Sequence, residues 1–315
     1  MASQPVFIQV GELADGFAPD SHILPALDDL VGKTLRLAFA DHPTLELEFA
    51  TAGVLRSHVL AGQRRGSSGE HRYRATSLRS GIYLVDFVGE AGVVDSHAPQ
   101  SAASTEGGDS AGDIAATPSS SSFVLDLNRG LCTSVVGTLP SEAQTRVAPF
   151  TRVEQGDELT SVRVQFRHGT IAPGQTSASA PRGQAAAPAD PLAAEALHRP
   201  TGELIGMRNL YTYSATERYE HVYLNENFYA WQCLSGVEQG LADVDRCHYF
   251  AIDTNLYLFV WREKIIPTLG VVMIDLDRLR TDGKIFGYKG NRFDAVSNFP
   301  VGAHARILNT TRYPQ

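Results

Sequence analysis

From Ile205 to Glu263 ring-bearing side chains recur on every second residue, a spacing that one kind of backbone satisfies. Successive side chains of a strand point to opposite faces, so residues two apart share a face. A helix would spread the same rings around its axis. Alternation therefore places Tyr211 and Tyr213 on one face of a first strand, and Tyr219, His221 and Tyr223 on one face of a second. It does the same for Trp231 and Cys233 on a third strand. A later run, Tyr257, Phe259, Trp261 and Glu263, follows suit, so Glu263 shares its face with three rings. A carboxylate among apolar rings is costly unless paired or protonated. Its pKa is therefore expected to rise, which is how a general acid is made.

The same spacing recurs earlier in the chain. Gly32 with Leu37-Ala38-Phe39 aligns with Gly206 and Tyr211-Thr212-Tyr213. Tyr83 to Phe87 aligns with Tyr257 to Trp261, and Val124 to Arg129 with Met273 to Arg278. Three matches in the same order predict two similar all-β halves, each a small antiparallel barrel or strongly bent sheet. In the first half the tyrosine pair becomes Leu37 and Phe39, and the position of Glu263 becomes Gly89. The chemistry is therefore expected in the second half, the first being a scaffold or lid. The Asp-Leu-x-Arg run occurs in both halves, at Asp126 and at Asp275, and reads as a structural turn.

Between these strands the composition changes twice. Residues 96–122 are rich in Ser, Ala and Gly and lack periodicity, which reads as a low-complexity insertion with too little apolar surface to order itself. Residues 169–200 have the character of a linker, with a short helix expected after Asp190-Pro191. The division is then 1–168, a linker over 169–200, and 201–315. Near the N-terminus, Val6 to Val10 reads as a short strand, and Ser21 as the cap of a helical turn through Leu24 to Leu30.

A net charge of −8 with no stripe of Lys or Arg argues against a nucleic-acid surface. No apolar run approaches the roughly 20 residues of a membrane span. The opening residues lack the basic and apolar regions of a signal peptide. Cys132, Cys233 and Cys247 are too few and too scattered for a disulfide framework or a cluster site, so reduced thiols in a cytoplasmic protein are expected. His221 and His248 have no partner at metal-ligand spacing, and no phosphate loop is present, so neither metal nor cofactor is expected.

Two resemblances add to this reading. Ile205-Gly206, Tyr211-Thr212-Tyr213, Tyr219-Glu220, Ser235-Gly236 and Trp261-Arg262-Glu263 resemble the core of the phenolic acid decarboxylases, cofactor-free lyases of calycin (lipocalin-like) fold. That resemblance implies that Tyr211 and Tyr213 anchor the substrate and that Glu263 handles a proton. It also implies an arginine five residues after the turn glycine, where this chain has Leu241. Arg218, Arg246 and Arg262 are candidates to replace it. The segment Phe7 to Leu37 resembles the N-terminal signature of the MoaF family, which joins such a domain to a decarboxylase-like C-terminal one and is named for molybdenum cofactor biosynthesis.

The fold expected is two calycin-like β-barrels related by a weak repeat. The function expected is a cofactor-independent lyase, isomerase or cyclase acting on a small aromatic or polyunsaturated molecule in the second barrel. Tyr211, Tyr213 and Glu263 would carry the chemistry, within walls formed by Tyr219, His221, Tyr223, Trp231 and Trp261. A non-catalytic carrier of lipocalin type is the alternative, and a part in molybdenum cofactor formation rests on the family name. The partner expected is a small molecule, with a homodimer left open.

Overall fold

The computed structural model of the chain describes residues 6–17, 21–39, 44–62, 65–90, 117–172 and 197–312. It opens with α1 (Val10–Phe17) and then forms β1 (Thr34–Phe39), β2 (Leu45–Thr51), β3 (Val54–Val59), β4 (Ser68–Arg79), β5 (Ile82–Glu90), β6 (Pro118–Asp126) and β7 (Leu131–Thr138). Two short helices, α2 (Glu142–Thr145) and α3 (Pro149–Glu154), lead to β8 (Arg163–Ala172). Each strand pairs antiparallel with the next, and β8 returns to β1 with Leu37 opposite Ile171, closing a barrel.

The second half repeats this plan. After β9 (Arg199–Pro200) come β10 (Met207–Thr212), β11 (Arg218–Tyr223), β12 (Phe228–Ser235), β13 (Ala242–Asp253), β14 (Leu256–Arg262), β15 (Thr268–Asp275), β16 (Arg280–Tyr288) and β17 (Val296–Thr310). The β17 strand closes on β10 with Tyr211 opposite Ala305, and β9 adds a short pairing to β13. Both halves are thus closed eight-stranded antiparallel barrels.

The repeat extends to details. Gly32 and Gly206 both take positive φ, 80° and 89°, just before the first strand of their barrel. Each donates its N–H at 2.8 Å to the adjacent strand, to the carbonyls of Phe49 on β2 and Tyr223 on β11 respectively. A Cβ in that conformation is strained, so the glycine starts the barrel in each half. The two Asp-Leu-x-Arg runs form one turn made twice. Asp126 accepts from the N–H groups of Asn128 and Arg129, and Asp275 from those of Asp277 and Arg278.

Alternation fills each barrel with one face of its strands. The first interior is largely aliphatic, built on Leu37, Leu47, Phe49, Leu55, Val85 and Phe123. The second is aromatic. A third core lies between the barrels, where Ile82, Leu84, Val124 and Val135 meet Leu256, Leu258, Val260 and Met273. This explains why every residue of β14 and β15 is buried. Tyr257, Phe259 and Trp261 point into the second barrel, while Leu256, Leu258 and Val260 point at the first. Burying apolar surface on both faces of a strand contributes about 25 cal/mol per Å².

Four segments differ from expectation. Residues Val6 to Val10 form no strand; Val10, Leu13 and Phe17 make the buried stripe of α1 instead, spaced three and four apart as a helix requires. This helix crosses from the first half of the sequence to cover one end of the second barrel, touching β16 and β17. Ser21 to Leu30 contains no helical turn. It runs without regular structure from one barrel to the other as far as Asp28, with the His22 N–H donating to the Tyr213 carbonyl and the Leu27 N–H to that of Ala75, and turns only at its end, where the Val31 N–H meets the Asp28 carbonyl at 2.9 Å. Pro118 to Ser122, placed by composition in the insertion over 96–122, belongs to β6 instead. Its serines are buried, the Ser119 hydroxyl donating to the Gly89 carbonyl at 3.3 Å and that of Ser122 to Asp86 at 2.8 Å, while the Ser120 hydroxyl has no partner among the described residues. The linker expected over 169–200 is narrower, since Gly169 to Ala172 end β8 and Arg199–Pro200 form β9. Residues 91–116 and 173–196, with the helix expected after Asp190-Pro191, lie outside the described residues.

Candidate functional site

The second barrel's rings point inward from five strands. Tyr211 comes from β10, Tyr219, His221 and Tyr223 from β11, Tyr229 and Trp231 from β12, Tyr249 from β13, and Phe259 and Trp261 from β14. They pack in edge-to-face and stacked pairs, such as Tyr229 on Phe259 at 5.0 Å and Phe259 on Trp261 at 5.4 Å. At the end covered by α1 they leave a cavity of about 30 Å³, bounded by Leu13, Phe17, Tyr213, Tyr219, His221, Tyr229, Trp231, Glu238, Trp261, Glu263 and Ile285. Phe17 closes it, edge-on to Tyr213 at 4.9 Å.

Two carboxyls face this cavity. Glu263 follows the last residue of β14, and its N–H bonds the Thr268 carbonyl at 3.1 Å, fixing the turn into β15. Its carboxyl accepts from the Trp261 indole N–H at 3.2 Å. Burial, and then the nearby Asp245 and Glu238 carboxyls, push its pKa well above the usual range; the bonds from Trp261 and Thr268 oppose this only in part. Glu238 lies in the turn between β12 and β13 and accepts from the Tyr219 hydroxyl at 3.0 Å. Burial raises its pKa too, the Tyr219 bond opposes, and Glu217 adds to the rise.

Behind these lie two more acids. Asp245 accepts from the Trp231 indole N–H at 2.9 Å and the Lys264 N–H at 3.0 Å, and burial raises its pKa. Glu217 accepts from the Val237 N–H at 3.2 Å. The turn glycine Gly236 has φ 129°, and a Cβ there would run into the Glu217 carboxylate. The Ser-Gly turn of the sequence is thus what lets Glu217 sit beneath it.

His221 is buried among Tyr211, Tyr229, Phe259 and Trp261, with Tyr211 nearest at 4.8 Å between centroids. Burial lowers its pKa to about 3, so the ring is neutral, and its Nδ1 has no hydrogen-bond partner. Tyr211 and Tyr213 do not converge on one point. The Tyr211 hydroxyl is 2.6 Å from that of Tyr223 and accepts from Asn209 at 3.2 Å, away from the cavity, whereas Tyr213 lines it. Burial pushes the Tyr211 phenol up to about 12. Of the residues expected to form the site, Tyr213, Tyr219, His221, Trp231, Trp261 and Glu263 border the cavity, while Tyr211 and Tyr223 pack behind it.

No arginine enters. Leu241 is buried in the apolar cluster. Arg218 donates to Ser235 at 2.9 Å on the outside, and Arg246 lies over the Phe228 ring at 5.2 Å. Arg262 points into the space between barrels, donating to the Val162 carbonyl at 3.2 Å and to Glu158 at 3.3 Å. Each alternates with an inward residue, Tyr219, Cys247 or Trp261, so strand phase turns it outward. Among the described residues no three His, Cys, Asp or Glu side chains are grouped to hold a metal ion, and no helix is long and apolar enough to cross a membrane.

Sequence reasoning missed Glu238, Tyr229, Asp245 and the α1 pair. Tyr229 and Asp245 were within reach, being in phase with Trp231 and with Cys247. Glu238 sits in a turn and α1 is distant in sequence, so alternation could not place either.

Fold and site define an all-β protein of two calycin-like barrels, the second enclosing acids in an aromatic box. Family models match residues 5–96 as the MoaF N-terminal domain and 198–311 as the MoaF C-terminal domain. Protein MoaF of Klebsiella aerogenes is 44% identical over 318 residues, covering 100% of both chains. The chain belongs to the MoaF family. A solved structure from Burkholderia vietnamiensis, described as a beta-lactamase candidate, aligns with 35% of this chain and 98% of its own at 13% identity and TM-score 0.29, too slight a likeness to carry an argument.

Proposed function

We propose that the second barrel is a cofactor-independent catalyst that moves a proton on a small, ring-bearing or polyunsaturated molecule. The observation that carries this reading is the pair of carboxyls, Glu263 and Glu238, facing one aromatic cavity with no cation among its lining residues. Their environments differ. Glu238 takes a hydrogen bond from the Tyr219 hydroxyl, which favours its charged form, whereas Glu263 is buried beside the Asp245 and Glu238 carboxyls, which favours its acid form. That division suits Glu263 as the acid and the Tyr219–Glu238 pair as the acceptor, giving a lyase, isomerase or cyclase step through an enol-like intermediate. Tyr213 and the His221 nitrogen are the polar groups left to orient a substrate oxygen or nitrogen. At about 30 Å³ the cavity has room for a water rather than a ring, so entry requires Leu13 and Phe17 of α1 to swing outward. A carrier of lipocalin type would have no need of a proton donor and a proton acceptor facing one another across its cavity.

Proton relocation leaves a trace in heavy water. A ligand selected by thermal shift should take up deuterium at carbon when incubated with the protein, as read by NMR. Unchanged spectra for every tightly bound ligand would favour the carrier. Decarboxylation of coumaric or ferulic acid is expected to be absent, because Leu241 and the outward arginines leave a substrate carboxylate without a bidentate partner. Rapid release of carbon dioxide would show that an arginine reaches the cavity.

A further inference from the structure

We infer that the second-barrel cavity selects a positively charged ligand, a protonated amine carrying an apolar ring-sized body. This rests on the reading of that cavity as a ligand site. The lining acids are Glu238 and Glu263, with Asp245 and Glu217 directly behind them, and the lining base, His221, is kept neutral by burial. The nearest basic groups are spent elsewhere. Arg218 and Arg262 face outward on Ser235 and Glu158, and Lys264 is paired with Asp243 and, at 3.6 Å, with Asp245 on the side away from the cavity lining. An anionic ligand would meet two carboxyls and no counter-charge, at a cost that a desolvated site magnifies.

A cation meets the opposite situation. The π faces and edges of Tyr213, Tyr219, Tyr229, Trp231 and Trp261 surround the same space, and rings of this kind hold ammonium groups. An ammonium also supplies a counter-charge, so its arrival favours ionisation of Glu238, the carboxyl whose charged form the Tyr219 hydroxyl already stabilises, while Glu263 keeps its proton. Binding is therefore coupled to proton release. Tyr219, His221, Tyr229 and Asp245 also face Glu263, and none of them competes for this role. Burial keeps His221 neutral and the tyrosines protonated, and Asp245 already accepts from Trp231 and Lys264.

The test is a charge series of near-isosteric probes on the full chain. Benzylammonium, benzyl alcohol and benzoate are titrated by calorimetry at neutral pH, in two buffers of different ionisation enthalpy. Benzylammonium should bind best, benzoate on the order of tenfold or more weaker, and the ammonium should release up to about one proton, shown by a buffer-dependent heat. The Glu238→Gln, Glu263→Gln double variant should lose both the charge preference and the proton release while keeping its affinity for benzyl alcohol. The series on the unaltered protein decides by itself should that variant fail to fold. If benzoate or benzyl alcohol binds as tightly as benzylammonium, the charge inference is overturned and the site stands. If none of the three binds, the site reading falls and the inference with it.

Discussion

Replacing Asp86 by alanine should cost the folded protein about 3–5 kcal/mol, the scale expected when one partner of a buried ion pair is removed. Asp86 on β5 of the first barrel meets Lys284 on β16 of the second, Nζ to Oδ1 at 2.8 Å, with Lys284 only 3% exposed. Asp86 also accepts from Ser122 at 2.8 Å and from Asn298 at 2.6 Å, the latter again across the interface. Without it, the ammonium loses its counter-charge in a cavity of about 360 Å³ that it shares with Arg72, Arg74, Thr76, Phe87 and Asn298. Burial already lowers the Lys284 pKa, and Asp86 opposes that shift. In the variant only the lowering remains. The unfolded chain then binds more protons than the folded one, so the variant should regain stability as pH rises through alkaline values. Urea denaturation at several pH values measures both effects. The double change Asp86→Asn, Lys284→Met should recover most of the loss, since the amide oxygen can still accept from Ser122 and Asn298 and no charge is left buried. A single variant within 1 kcal/mol of the parent would mean that the ammonium reaches water, or that the barrels dock without this pair.

The architecture was legible in the sequence wherever a period of two reached the core. Rings at 219, 221 and 223, or 257, 259 and 261, leave no other backbone, and the repeat of Gly32 in Gly206 and Asp126 in Asp275 announced the second barrel. Glu263 was legible for the same reason. Four things were not. Eight residues of α1 carry a helical stripe, but its docking site lies more than 200 residues away, and no local signal encodes that. The serines of Pro118 to Ser122 look like low-complexity chain, yet strand pairing fixes them between β5 and β7, and composition says nothing about register. Glu238 lies in a turn, where alternation has no meaning. The tyrosine pair fails on distance. Residues two apart on a strand are about 7 Å apart along it, so Tyr211 reaches Tyr223 and Tyr213 reaches the cavity.

Glu263→Gln separates a catalyst from a carrier. The amide keeps the shape of the carboxylic acid and can still accept from Trp261, whose indole N–H lies 3.2 Å from Oε1. What it removes is a transferable proton. Turnover on the true substrate should fall on the order of 100-fold or more while ligand affinity for a neutral analogue stays nearly unchanged. The parent protein should lose activity as pH rises through the raised pKa of Glu263, because the acid form is the working one, and the variant's residual activity should lack that limb. Stability gives an independent reading with its own sign. A carboxyl whose folded pKa lies above its unfolded value binds more protons in the folded state. Its contribution is complete below the ordinary carboxylate range and is lost as pH climbs through the raised value. The parent should therefore soften over that window, and Glu263→Gln should flatten the slope and gain stability relative to the parent near neutral pH. A site acid that costs stability and supports turnover is the signature of a functional group; an acid whose removal changes neither is a bystander, and the assignment to Glu263 would then be wrong.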